Sequence, residues 1–215
     1  MQVDIWSDVV CPWCYIGKRR FETALARFEH RDEVQVVFHS FELDPYATPS
    51  PAGSIPDRLA RKYGISREQA VQQNERLTRM AAAEGLEFRF DRAQPGNSFA
   101  AHRLLHFARE HGKQAEMKER LFRAYFTEGE AIGDREMLIQ LAKASGLDAR
   151  GVLESDAYTG QVREDEQLAA DLGINGVPFF VLAGRYGVSG AQPGDLLLSA
   201  LEQAWSESAV AEVGS

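Results

Sequence analysis

An apolar, strand-like run from Val3 to Val10 leads directly into Cys11-Pro12-Trp13-Cys14, and a helix-patterned stretch begins within those four residues. No other feature constrains the fold as tightly. It calls for a strand whose end meets the start of a helix, with two sulfurs on the helix's first turn. Pro12 suits the first helical position, where its missing N–H would have had no partner. Ile16, Phe21, Leu25 and Phe28 then recur near helical spacing. These are the only two cysteines in 215 residues. Chance would place two cysteines three apart on the order of once in a hundred such chains.

That junction suits sulfur chemistry. The unpaired N–H groups and the positive end of the helix dipole face Cys11, which favours its thiolate. Cys14 lies on the same face and can close a small disulfide ring. The expected cycle is exchange at Cys11, a mixed disulfide with substrate, and resolution by Cys14, or the reverse. A metal site competes, because Cys11, Cys14, His102 and His106 spell C-x2-C and H-x3-H. Residues 15–101 separate the two pairs, far more than in a compact finger. The histidines also sit in an apolar helical run with Leu104, Leu105 and Phe107, so a face turned to the core or a cleft explains them more simply. No metal is expected.

The order of elements narrows the fold class. Glu33 to Leu43 reads as a second strand, apolar on both faces. Asp44 to Pro56 holds Pro45, Pro49, Pro51, Pro56 and Gly53 and marks a boundary. Helical patterns follow at Ile55–Tyr63, Ser66–Glu84, Ser98–His111, Gln114–Glu128, Arg135–Ser145 and Ala149–Leu172, with Gly64, Gly85, Gly112, Gly133 and Gly146 as stops. Asp134 and Asp148 are candidate N-caps. Strands return at Pro178–Leu182 and Arg185–Val188, joined by a turn at Ala183-Gly184. Gly187 and Gly190 make the last strand an edge. A final helix spans about Asp195 to Trp205, burying Leu197, Leu198, Leu201 and Trp205, and Ser206 to Ser215 reads as a frayed tail.

Composition excludes some partners. The net charge is −8, with both signs mixed along the chain and no basic block, so a nucleic-acid partner is not expected. No run approaches the roughly 20 apolar residues of a membrane span, so no membrane partner is expected. Met1 to Trp6 lacks a basic, cleavable leader, which implies a cytoplasmic protein. In a reducing compartment a cysteine pair is more often catalytic than structural.

Other residues are candidates of lesser weight. Trp13 is expected on the rim of the site, to stack on substrate or simply to pack. Asp8 could take a proton from Cys14 or tune it, although a solvated loop acid is the simpler reading. Lys18 is expected in solvent, and Asn97 and Ser98 as helix caps.

Asp8-Val9-Val10-Cys11-Pro12-Trp13-Cys14-Tyr15-Ile16-Gly17 resembles the active-site stretch of DsbA-type oxidoreductases, most closely the FrnE-like subfamily. The likeness continues in Phe41–Pro45, Asn97–Leu104, Leu121–Phe126, Gly176–Pro178 and Val188–Gln192. It implies an α/β, thioredoxin-like fold with an all-helical domain inserted after the second strand. Residues 1–44 and 165–206 would form the thioredoxin-like domain, 45–164 the insert and 207–215 a flexible tail. It also implies a cis Val177–Pro178 bond beside the cysteines, with Cys11, Cys14 and Pro178 carrying catalysis. Pro12, Trp13, Val177, His102 and Asn97 would meet substrate, and Ser98 and Gln192 would line the cleft with them. The implied substrate is a protein or small molecule bearing a disulfide or thiol, with no cofactor beyond the redox pair and glutathione or another small thiol as electron partner. The protein would be a monomer or homodimer. With no third cysteine, a second redox centre is excluded. The similar kappa-class transferases and 2-hydroxychromene-2-carboxylate isomerases usually carry Ser in place of the first cysteine and activate glutathione. They supply the alternative reading, which the retained Cys11 and Cys14 disfavour.

Overall fold

A computed structural model describes residues 1–48 and 53–213. Pro49 and Pro51 of the expected boundary loop lie outside the described residues, as do 214–215. The strands β1 (Gln2–Ser7), β2 (Gln35–Ser40), β3 (Phe179–Leu182) and β4 (Tyr186–Ser189) form one sheet in the order β2-β1-β3-β4. β1 runs parallel to β2 and antiparallel to β3, so Ile5 sits between Phe38 and Phe180. β4 is the edge that its glycines implied. The turn before it places Ala183 and Gly184 at positive φ and returns the Arg185 N–H to the Leu182 carbonyl.

Both faces of β1 are covered. On one, Val3, Ile5, Phe38 and Phe180 pack against Phe21 and Phe28 of α1 (Pro12–Arg27) and Leu197 and Leu201 of α9 (Gly194–Val213). On the other, Trp6 meets Ala169 of α8 (Thr159–Asp171) and Ile174. Between β2 and α8 come α2 (Ile55–Tyr63), α3 (Arg67–Ala83), α4 (Phe99–Glu110), α5 (Gln114–Arg123), α6 (Arg135–Ala144) and α7 (Arg150–Glu154). The fold is thus α/β and thioredoxin-like, with a helical insertion after the second strand.

The insert's core is not closed on itself. Leu104, Met117, Leu121, Phe122, Phe126 and Leu138 form one cluster with Val9, Cys11, Cys14, Tyr15 and Ile16. The turn bearing the cysteines is therefore packed into the seam between insert and sheet. Two polar ties hold that seam. Glu119 of α5 accepts from Tyr15 (2.7 Å), Lys18 (2.5 Å) and Arg19 (2.9 Å) of α1. On the far face His39 lies between Asp165 (2.6 Å) and Asp4 (2.8 Å), stacked on Trp6, while Asp165 also accepts from the Ser40 N–H and faces His106. Burial disfavours a charged His39, but the two carboxylates prevail and push its pKa up to about 9. Burial works in the opposite sense on Asp165, yet His106, His39 and the Ser40 N–H hold its carboxyl far below the usual range.

Four expectations change. The single helix expected over 149–172 is two, α7 and α8, broken where Tyr158 takes a left-handed φ of 63°. Buried Arg103 of α4 explains the break, because its guanidinium donates to the carbonyls of Val152, Ser155 and Ala157 that a continuous helix would have used. The helix expected over 114–128 is α-helical only to Arg123, then makes a π-helical turn, Ala124–Glu128. That turn stops at Gly129, not Gly133. Gly129 has φ 75°, and a Cβ there would lie 2.6 Å from Arg92 Cβ, so only glycine fits. Finally, the segment expected to fray after Trp205 is helical to Val213.

Candidate active site

β1 ends at Ser7, and four residues, Asp8 to Cys11, turn the chain into α1. The Cys11 N–H donates to the Asp8 carbonyl (3.1 Å), and the N–H groups of Cys14 (3.1 Å) and Tyr15 (3.4 Å) return to the Cys11 carbonyl. Cys11 is thereby the extended residue capping α1, and Pro12 occupies its first turn. Both cysteines are free thiols and nearly buried, at 3% and 2% exposure. Trp13 between them is 40% exposed and stands on the rim.

A second loop closes over the pair. The Val177–Pro178 peptide is cis, and Cys11 Sγ faces the Val177 carbonyl at 3.7 Å. Pro178 lies against α1 so closely that a Cβ on Gly17 would come within 2.8 Å of its Cγ. β4 helps hold this loop, since the Gly190 N–H donates to the Pro178 carbonyl at 2.8 Å.

A cleft of about 900 Å³ opens over this turn, between sheet and insert. Cys11, Pro12, Trp13 and Val177 line it; Cys14 and Pro178 lie behind. The structure does not bring Asn97, His102 or Gln192 to its wall. Asn97 caps α4 instead, its Oδ1 accepting from the Phe99 N–H, whereas the Ser98 side chain makes no capping bond. Gln192 turns back to the Ser189 carbonyl. His102 is fully buried, its Nε2 3.4 Å from Asp8 Oδ1. His106 goes to Asp165, so the two histidines do not converge, and no group of three or more His, Cys, Asp or Glu able to hold a metal occurs among the described residues.

Two charges expected in solvent are buried. Lys18 is 4% exposed and sits between Glu22 and Glu119. Asp8 is fully buried beneath the cysteine turn and accepts from the Leu43 N–H at 2.8 Å. Burial opposes its charge, but His102, the Leu43 N–H and Ser98 hold its carboxyl below the usual range.

Lys118, which sequence reasoning passed over, completes the set. It is fully buried, and its Nζ donates to the Ser7 carbonyl at 3.3 Å with the rings of Phe122 and Phe38 about it. Burial pushes its amine down to about 8, against the opposing pull of Cys14 first, then Asp8 and Cys11. Burial, and then the neighbouring Cys11, push the Cys14 thiol well above its ordinary pKa, with the Asp8 backbone and Lys118 acting the other way. The signal was present: Lys118 lies on one helical face with Gln114, Leu121 and Phe122, a cation within an apolar stripe.

A family model described as the DSBA-like thioredoxin domain matches residues 2–202. The crystal structure of a probable DsbA oxidoreductase from Streptomyces coelicolor is 48% identical, with a TM-score of 0.92 over 96% of this chain and 91% of that one. The uncharacterized protein YwbO of Bacillus subtilis is 30% identical over 187 residues, covering 85% of this chain and 86% of YwbO. The cytosolic disulfide reductase DsbM of Pseudomonas aeruginosa, solved with GSH, shares the fold at 20% identity, with a TM-score of 0.68 over 96% of this chain and all of that one.

Proposed function

This chain belongs to the DSBA-like thioredoxin-domain family and is an oxidoreductase, and on that premise we propose that Cys11 exchanges with substrate and Cys14 resolves the adduct. One observation carries the assignment: Cys11 lines the cleft, whereas Cys14 lies behind it with its thiol pushed well above its ordinary pKa. A sulfur that opens to the cleft meets substrate first. A sulfur that holds its proton waits until a mixed disulfide forms beside it.

In the reducing direction, the Cys11 thiolate attacks one sulfur of a substrate disulfide. The substrate's S–S bond breaks, its first thiolate leaves and takes a proton from water, and a Cys11–substrate disulfide forms. Cys14 then loses its proton and attacks Cys11 Sγ. The second substrate sulfur leaves as a thiolate, and the protein holds a Cys11–Cys14 disulfide, two electrons having passed to substrate. The oxidising direction is the reverse. Lys118, held against Ser7 and acting on Cys14, supplies positive charge as the Cys14 thiolate forms. The carbonyl of Val177 would accept from an N–H of the substrate beside its reacting sulfur, with Pro12 and Trp13 flanking that sulfur and Pro178 fixing the loop.

The reading is of the FrnE-like kind, a cytoplasmic dithiol enzyme with no resident cofactor, whose partner electrons come from a thiol such as glutathione. The test is a redox titration of the purified protein against a glutathione ladder, following tryptophan fluorescence. A reversible two-electron transition that disappears in Cys11→Ser is expected. No transition, with both thiols open to alkylation, would instead favour a glutathione-dependent isomerase or transferase.

A further inference from the structure

One helical face of α3 carries Ala70, Asn74, Leu77 and Ala81. Ala70 and Ala81 are fully buried, and Leu77 packs on the core shared with Cys11 and Cys14. Asn74 interrupts this apolar face. It is 5% exposed, and neither its Oδ1 nor its Nδ2 has a hydrogen-bond partner. A buried primary amide left unpaired costs stability and is rare in native proteins. This one lines the same cleft as Cys11.

We propose that Asn74 is a substrate-recognition residue that hydrogen-bonds the two peptide groups flanking the half-cystine of the substrate. The proposal rests on the dithiol reading above and names the substrate class of that site: disulfides flanked by amide bonds. An Asn side chain presents an acceptor and a donor in one plane. The N–H and C=O of one extended residue, which point the same way from the two peptide groups flanking its Cα, satisfy both at once, whereas a carboxylate satisfies only the donor. Leu59, Phe90 and Tyr125 form apolar walls around the same space. A few convergent polar groups in an apolar cleft are what fix a ligand's orientation. The two peptide groups can belong to a small peptide-type disulfide or to an extended protein segment, and the chemistry read by Asn74 is the same.

The test compares three disulfides: the bis-methylamide of N,N′-diacetylcystine, which is neutral with amides on both sides of sulfur; bis(2-hydroxyethyl) disulfide, which is neutral without them; and insulin. Asn74→Leu is expected to lower kcat/KM for the diamide by about tenfold, the scale of two lost hydrogen bonds, and to leave the hydroxyethyl disulfide unchanged. Its Tm should hold or rise, since two unpartnered buried atoms are gone. Asn74→Ala, which opens space where leucine fills it, must show the same split. A loss limited to the diamide assigns small peptide disulfides; a loss shared by insulin extends the class to protein chains. Equal losses on all three substrates with a fallen Tm, or no loss on any, overturn the proposal. A wild-type protein inactive on every disulfide points instead to failure of the dithiol reading.

Discussion

Lys118 Nζ donates to the carbonyl of Ser7 at 3.3 Å, which joins a helix of the insert to the end of the strand that delivers the cysteines. An amine so deeply buried is unfavourable to fold around, and its retention beneath a dithiol calls for tests of what it contributes.

Lys118→Met is expected to stabilise the protein while slowing it. Burial lowers the amine from 10.5 to about 8, a difference on the order of 3 kcal/mol against the folded state wherever the amine is charged in both states. That penalty is fully present below about pH 8 and is relieved as pH rises toward 10.5, because the unfolded chain then binds the extra proton. The Met variant should melt higher at neutral pH, lose this pH dependence, and resolve its mixed disulfide more slowly. Denaturation across pH 6–10 and stopped-flow fluorescence of the resolving step measure both effects. A variant that resolves at the wild-type rate removes Lys118 from the chemistry.

His39 acts with the opposite sign. Its folded pKa of about 9 lies above its unfolded value of 6.5, so its contribution is complete below pH 6.5 and disappears as pH rises through 9. The difference in unfolding free energy between wild type and His39→Gln should be roughly 2–4 kcal/mol at pH 6 and shrink steadily by pH 9.5. A difference that does not vary with pH would show that His39 is neutral in its carboxylate clamp.

Cys14→Ala should accumulate a covalent adduct on Cys11 when incubated with a disulfide substrate, visible as a mass increase in non-reducing mass spectrometry, while turnover falls to background. Cys11→Ala should form no such adduct, because Cys14 is behind the cleft and holds its proton. Equal trapping by both variants would contradict the division of roles between the two sulfurs.

Gly17→Ala tests the contact beneath the cis-proline loop. Helix propensity alone would make this change stabilising by about 1 kcal/mol. The added Cβ would stand 2.8 Å from Pro178 Cγ, and overpacking of that kind costs about 1–3 kcal/mol. Net destabilisation is expected, with kcat/KM down by about tenfold or more as the loop shifts from Cys11. Wild-type Tm and turnover together would show that the loop yields freely.

Much of this architecture is legible in local pattern. Alternation in Val34–Phe38, proline at the start of α1 and the glycines of β4 each act within a few residues, so strands, reactive turn and edge could be read directly. What could not be read depends on chain returning from far away. Asp8 looks like a loop acid until Leu43 and His102 close over it. Lys18 looks solvated until Glu119, a hundred residues on, arrives from α5. The break at Tyr158 needs Arg103 to collect its carbonyls. Asn97 and His102 belong to a stretch that does lie near the site, but one as a cap and the other beneath the surface, a distinction of side-chain direction that resemblance does not carry. Lys118 and Asn74 did leave a local sign, a polar residue in an apolar stripe.

The shared core of Val9, Cys11, Cys14, Tyr15 and Ile16 with Phe122 and Phe126 makes the insert something other than a detachable lid. Excising it would not return a minimal ancestral fold with a working dithiol. It would strip Cys14, Tyr15 and Ile16 of their packing and open to water the sulfur that depends on staying dry. In a chain built this way, variation of specificity has to proceed by repainting the inner wall of the insert, residue by residue, rather than by exchanging one roof for another.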